Sequence, residues 1–323
     1  MAVIDVPVLD FSTERTALID RIRAQCRING FFQITGHGVD VRVQENALAW
    51  SKRFFELPER EKMKCSKDNN TWNRGYELMR SQILEVGTQP DLKEGFYIGD
   101  EIPTTHPYFV NKKLNSGPNQ WPEALGDDLT AFQAANLAYY RATFRLAADV
   151  LKAIALSLNL EENFFAPFMD GAVATMRLLH YPVQEPDDDE KLIRGIGAHT
   201  DFGAITLLLQ DDVDGLQVWD QNNQLWIDVE PTKGAYVVNL GNLMQRWTNE
   251  VYKSNIHRVI NKSGKERYSI PFFTSGNPEY VVTCIPSCVA PGEKNKFPPI
   301  TVEEAVSSAY AESYARAQKF NQA

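Results

Sequence analysis

A mainly β fold with flanking helices, its core a double-stranded β-helix of the jelly-roll or cupin-like type, is the architecture this sequence predicts. Three observations carry the prediction. The N-terminal half shows helical periodicity, including one stretch long enough to serve as a spine against a sheet. From about residue 171 the texture changes to short β-rich runs at regular spacing. Turn signals separate those runs, among them Asp214-Gly215, Gln221-Asn222-Asn223 and Lys262-Ser263-Gly264.

Taken in order, Val6–Phe11 reads as a first strand. Ser12 is placed to cap a following helix with Leu18, Ile22 and Cys26 on one face, ended by Asn29-Gly30. Phe31–Thr35 reads as a buried strand and Gly36-His37-Gly38 as a turn. A second helix is expected over Val41–Phe55, with Pro58 opening the next helical turn. Residues 66–122 are loop-rich, with a strand near Gly95–Ile98. The spine helix is expected between Asp127 and Leu158. Strands follow at Ala174–His180, Ala204–Gln210, Leu216–Trp219, Trp226–Val229, Tyr236–Leu240, His257–Val259 and Ser269–Phe273. Thr301–Phe320 reads as a helix, and Thr301 with Glu304 has the spacing of a capping box. The chain thus divides into a helix-and-strand region (1–122), the spine and its connection (123–170), the jelly-roll core (171–280) and a C-terminal helix (281–323) that could cover a pocket as a lid.

Composition narrows the function. The 323 residues can bury a large core, and 43% apolar with 23% charged residues is ordinary for a soluble globular protein. A net charge of −9 and a pI of about 5.2 argue against polymeric nucleic acid and anionic membranes as partners. No run of 18 apolar residues is present. The start, MAVIDVPVLDF, is a poor secretory signal. The four cysteines are too few and scattered for a disulfide framework, and Cys284 with Cys288 has no partner pair to complete a zinc site. A cytoplasmic protein, monomeric by default, is the expectation.

The chemistry-bearing residues lie in the β-rich half. His199 and Asp201 are two residues apart, so on a strand they would share a face. His257 lies further along in a second β-rich run. Two histidines and one carboxylate occupy one face of an octahedron and leave three positions for a bidentate cosubstrate and O2, the arrangement of non-haem iron(II) oxygenases. His-x-Asp by itself is a weak signal; its context gives it meaning. Downstream, Arg267 and Ser269 also share a strand face, a guanidinium and a hydroxyl suited to clamp a carboxylate. Tyr181, before Pro182, offers a further phenol donor.

With these pieces in view, the chain resembles the isopenicillin N synthase-like family of iron(II) and 2-oxoglutarate-dependent dioxygenases. The resemblance spans nearly the whole sequence. It runs through Val6-Pro7-Val8-Leu9-Asp10-Phe11, Asn29-Gly30-Phe31-Phe32, Gly36-His37-Gly38-Val39, Phe54-Phe55-Glu56-Leu57-Pro58, Asn73-Arg74-Gly75-Tyr76, Leu92-Lys93-Glu94-Gly95-Phe96 and Gly117-Pro118-Asn119-Gln120-Trp121-Pro122, then Ala198–Trp219 and Asn255–Ser269. It implies iron held by His199, Asp201 and His257, and 2-oxoglutarate held by Arg267, Ser269 and Tyr181. It further implies oxidation of a small-molecule metabolite, most simply hydroxylation, otherwise desaturation or rearrangement, with release of succinate and CO2 and with ascorbate as a candidate reductant. Secondary-metabolite biosynthesis is the expected setting. Two departures stand out: Leu179 where the family often has Asn, and Gly241-Asn242 where many members read Gly-Asp.

Substrate contacts are expected from Arg74, Tyr76, Phe202, Leu243, Arg246, Phe272 and Phe273, each balanced against an ordinary packing role or a surface ion pair. His37 and His106 read as turn and loop residues, and alternation turns His180 to the face opposite Tyr181. Two other readings stay open on the residues alone: an iron oxidase of the same fold that works without 2-oxoglutarate, and a non-catalytic cupin-like binding protein.

Overall fold

The computed structural model describes residues 3–185, 189 and 192–321, with 312 and 315–321 described by backbone only. Its frame is an eight-stranded sheet in the order β1-β2-β10-β7-β12-β5-β4-β3. These strands are β1 (Val8–Asp10), β2 (Phe31–Thr35), β3 (Gly75–Glu77), β4 (Glu94–Gly99), β5 (Val173–Tyr181), β7 (Ile205–Gln210), β10 (Tyr236–Leu240) and β12 (Arg267–Gly276). A second sheet, β6-β11-β8-β9, comprises β6 (Ile196–His199), β8 (Leu216–Asp220), β9 (Leu225–Asp228) and β11 (His257–Val259). A hairpin-like pair, β13 (Val281–Val282) with β14 (Ile300–Thr301), precedes the last helix. The N-terminal region therefore supplies four strands to the main sheet.

Helices flank that sheet. They are α1 (Arg15–Ile28), α2 (Val41–Phe55), α3 (Glu59–Lys62), α4 (Pro107–Val110), α5 (Leu129–Ser157), α6 (Ala166–Met169), α7 (Asn242–Trp247) and α8 (Val302–Asn321). The spine α5 buries Phe132, Tyr139, Tyr140, Leu146, Val150 and Ile154, a stripe at helical spacing. Alternation on β5 and β12 divides the core in two. Met176, Leu178, Ile270 and Phe272 join the helix-side cluster, while Leu179 and Tyr181 join the small cluster between the sheets. The second set opens towards the site.

Local chemistry explains the elements and one correction. Ser12 does not cap α1: its N–H and hydroxyl are both donated to the Asp10 carboxylate, at 2.9 and 2.7 Å. Glu14 caps instead, accepting from the Thr16 and Ala17 N–H groups at 2.8 Å each. At Gly30, with φ of 71°, a Cβ would sit 1.9 Å from the Lys253 carbonyl, so only glycine lets α1 end against that segment. β3, unforeseen, is a three-residue strand that pairs with β4.

Candidate active site

The two sheets bring three ligand-type side chains together. β6 pairs antiparallel with β11 so that His199 lies directly opposite His257, their ring centroids 4.3 Å apart. Asp201 is not on the strand with His199, as the sequence suggested; β6 ends at His199 and the carboxylate comes from the turn beyond it. Its Oδ1 lies 3.7 Å from each histidine Nε2. The three ligand atoms fall within 4.8 Å of one another. The turn is held close by backbone: Asp201 O accepts from Asn242 N at 2.8 Å, and a Cβ on Gly241 would meet the Gly203 carbonyl at 2.2 Å.

The surroundings prepare each group as a ligand. His199 Nδ1 donates to the Gly197 carbonyl at 2.8 Å and His257 Nδ1 to the Asn255 carbonyl at 3.2 Å. A carbonyl can only accept, so both Nδ1 atoms carry a proton and Nε2 is the atom each ring turns towards Asp201. Burial, reinforced by the adjacent His257, holds the His199 imidazole neutral by lowering its pKa. Burial alone would raise Asp201. The two imidazoles and hydrogen bonds from Asn239 and Thr206 outweigh it and keep the carboxylate ionised. Those bonds, 2.7 and 2.5 Å, both go to Oδ2 and leave Oδ1 turned to the histidines. Two imidazole Nε2 atoms and one carboxylate within bonding reach of a common point fit a divalent iron ion.

Deeper between the sheets lies a cavity that includes His199, Asp201 and His257 in its wall. Arg267, Ser269 and Tyr181 line the same space. Arg267 is fully buried; Nη2 donates to Gln210 Oε1 at 2.7 Å, while Nε and Nη1 have no partner. Ser269 Oγ is likewise buried and unpartnered. Tyr181 is the cross-strand neighbour of Arg267, its ring centroid 5.0 Å from the guanidinium carbon. A buried guanidinium with idle donors beside an idle hydroxyl is costly unless an anion fills the space, and a carboxylate matches that donor set. Leu179 lines this cavity too, so the donor often found there in relatives is replaced by an apolar wall.

A second cavity opens on the outer side of His199 and Asp201. Of the seven substrate-contact residues expected, only Phe202 and Phe273 line it. Phe272 alternates to the helix side, where it packs on Tyr140 and Phe144. Tyr76 also faces that side, with its hydroxyl 2.6 Å from Glu94. Leu243 is buried in the helix-side core and Arg246 borders a separate surface groove, its guanidinium over Phe297. Arg74 is buried behind the pocket, bound to the Asn115 carbonyl. His180 faces the helices, stacked on Tyr268 and bonded to Glu94 at 2.7 Å. The lining the sequence did not reveal includes Thr175, Arg177, Gln82, Leu84 and Asn115, with Val306 and Tyr310 from α8. Counting back by twos from Tyr181 reaches Arg177 and Thr175 on the same strand face. No comparable signal marks Asn115 or Tyr310.

Comparison with known proteins agrees with this geometry. Residues 6–124 match the family described as non-haem dioxygenase in morphine synthesis N-terminal, and residues 172–276 match the 2OG-Fe(II) oxygenase superfamily. The chain is 58% identical over 321 residues to the 2-oxoglutarate-Fe(II) type oxidoreductase hxnY of Emericella nidulans, covering 97% of this chain and 92% of that protein. It is 36% identical to the clavatol oxidase claD of Penicillium crustosum over 308 residues, 92% of this chain and 91% of the other. Among solved structures, a full-length Neurospora crassa protein in complex with alpha-KG and thymine superimposes with a TM-score of 0.81 at 28% identity, covering 95% and 97% of the two chains.

Proposed function

This chain belongs to the 2-oxoglutarate–iron(II) oxygenase superfamily, and from that premise we propose that His199, Asp201 and His257 hold the iron and that Arg267, Ser269 and Tyr181 hold 2-oxoglutarate. It is an iron(II)- and 2-oxoglutarate-dependent oxygenase acting on a small molecule. When bound, iron, 2-oxoglutarate and O2 supply the oxidising power, with succinate and CO2 as coproducts. The protein's residues do the rest. Asn239 and Thr206 aim Asp201, the Gly197 and Asn255 carbonyls fix the two imidazoles, and Gln210 orients Arg267 to receive the far carboxylate of the cosubstrate. Phe202, Phe273 and Leu84 keep water from the outer cavity and press a substrate carbon towards the metal face.

Hydroxylation in a fungal tailoring step is the outcome we propose. The relatedness to the clavatol oxidase of Penicillium crustosum supports it. Four unpaired cysteines are consistent with a reducing, cytoplasmic setting. No helix among the described residues is long and apolar enough to cross a membrane.

The observation that carries the cofactor assignment is the set of unpartnered buried donors on Arg267 and Ser269 facing the same cavity as the three ligands. Anaerobic addition of iron(II) and 2-oxoglutarate to metal-free protein should produce the weak visible band of an iron-chelated keto acid. His199→Ala should abolish it, and Arg267→Ala should demand at least about tenfold more 2-oxoglutarate to reach it, as expected for loss of a bidentate charge-assisted contact. Iron bound with no band in the intact protein would refute the 2-oxoglutarate assignment.

A further inference from the structure

The wall shared by the two cavities contains a basic group that neither metal nor cosubstrate binding requires. Arg177 sits on the inward face of β5, two residues beyond Thr175, and borders both the inner and the outer cavity. It is 6% exposed. One edge of its guanidinium is tied to Glu77 and its plane lies over Tyr97, 4.4 Å from the ring centroid. Its Nε is buried without a partner. Thr175 Oγ1, on the same strand face and 1% exposed as a residue, is also unpartnered. Two buried donors left idle beside one void are the condition the 2-oxoglutarate clamp meets, repeated on the substrate side of the metal face.

The charges around Arg177 favour an anion there. Glu77 is shared between Arg177 and Lys93, whose Nζ lies 3.1 Å from it, so one carboxylate faces two basic groups. The next acid, Asp91, is engaged by the Gly197 N–H at 2.9 Å. Among the residues lining the outer cavity the one acid is Asp201, which faces the histidines. The remaining wall is largely apolar, with Leu84, Phe202, Phe273 and Val306.

We propose that Arg177, with Thr175, is the specificity-determining anchor of the outer cavity, and that the substrate is a small acid whose carboxylate or equally acidic oxygen binds there while its apolar body lies against Phe202 and Phe273. This rests on the oxygenase reading above and names its substrate class. An amide or ester of the same body leaves the guanidinium without its counter-charge, so discrimination between acid and neutral analogue is the property to read.

The test uses the full chain, loaded anaerobically with iron(II) and with 2-oxoglutarate at saturation so that the Arg267 clamp is filled. Calorimetry follows the binding of matched pairs, namely benzoate with benzamide, phenylacetate with phenylacetamide and hexanoate with hexanamide. At least one acid should bind about tenfold or more tightly than its amide, the scale of one charge-assisted contact. That ratio should fall towards one in Arg177→Gln, be partly kept in Arg177→Lys, and drop several-fold in Thr175→Val, which leaves the Glu77 pair untouched. The ratio within each variant is its own control for folding, and the Thr175 variant with the intact protein decides the matter if Arg177→Gln does not fold. Amides binding as well as acids, an acid preference that survives Arg177→Gln, or acid binding that 2-oxoglutarate displaces would each overturn the proposal. Failure of the oxygenase reading has a different signature, the missing keto-acid band, and leaves the acid-to-amide ratio readable in iron-loaded protein.

Discussion

At the scale of single residues, the proposed metal set is preorganised because each of its three side chains has a second partner that decides which atom faces inwards. Asp201 is the clearest instance. Two donors on one oxygen leave the other for the metal, and both donors come from the main sheet, Asn239 on β10 and Thr206 on β7. Asn239→Leu removes one of them at similar volume. Iron affinity should fall about 10- to 100-fold, the usual cost of losing such support, with the circular dichroism spectrum unchanged. Competition against a chromogenic chelator measures it, and an affinity close to that of the parent would show that Thr206 alone aims the carboxylate. The three proposed ligands were legible in the sequence because histidine is rare here and the His-x-Asp spacing is local. Asn239 and Thr206 were not, since a polar residue on a buried strand is visible as an anomaly only once the strand's buried face is known. The same limit explains Tyr76 and Phe272: alternation says that neighbours face opposite ways, and not which way is the pocket.

At the scale of elements, β5 and β12 do most of the positioning. Their antiparallel register sets Tyr181 against Arg267 and Leu179 against Ser269, which puts the proposed clamp residues on one face and the helix-packing residues on the other. The boundaries of β2, α2, β10 and β11 follow directly from the sequence, where a buried run or helical stripe is bracketed by turn residues. β3 was hidden because Gly75-Tyr76-Glu77 shows neither an apolar run nor an alternation of apolar and polar residues. The helix α8 is another element whose start could be foreseen: Thr301 Oγ1 accepts from Glu304 N at 3.2 Å, and the Glu304 carboxylate accepts from Thr301 N at 3.1 Å. What could not be foreseen is that Val306 and Tyr310 on this helix wall the outer cavity. Thr301→Ala should therefore loosen the first turns of α8 without touching the two large sheets. Amide exchange there should speed about fivefold, the worth of a typical N-cap, while β5 and β12 exchange as before. Equal acceleration everywhere would mean that α8 does not open on its own.

At the scale of the whole molecule, buried charge links parts of the chain that are far apart in sequence. Glu77 on β3 takes Arg177 from β5 and Lys93 beside β4, and accepts from the Tyr314 hydroxyl of α8 at 2.5 Å. Burial opposes its ionisation, but the two cations hold its carboxyl well below the usual carboxylate range. Its stabilising contribution is thus present above the unfolded pKa of 4.5 and lost as the pH falls towards the folded value. Asp91 has the opposite sign. It accepts the Gly197 N–H that ties the segment before β4 to β6, its second oxygen is buried without a partner, and burial pushes its carboxyl up to about 7, against the pull of Lys93 and that N–H. Between the unfolded value of 3.8 and about 7 the folded protein binds the extra proton, so stability falls as the pH rises through that window. The slope is at most roughly 1.4 kcal/mol per pH unit for one group. Asp91→Asn keeps the acceptor for Gly197 and removes the titration. Urea unfolding from about pH 5 to 8 should then find the intact protein losing ground to Asp91→Asn by roughly 2–3 kcal/mol, close to two units' worth of linkage, with the gap opening between about pH 5 and 7 and levelling above it. Parallel curves for the two proteins would mean that Asp91 stays ionised in the fold, and that Lys93 rather than the bound proton compensates its burial.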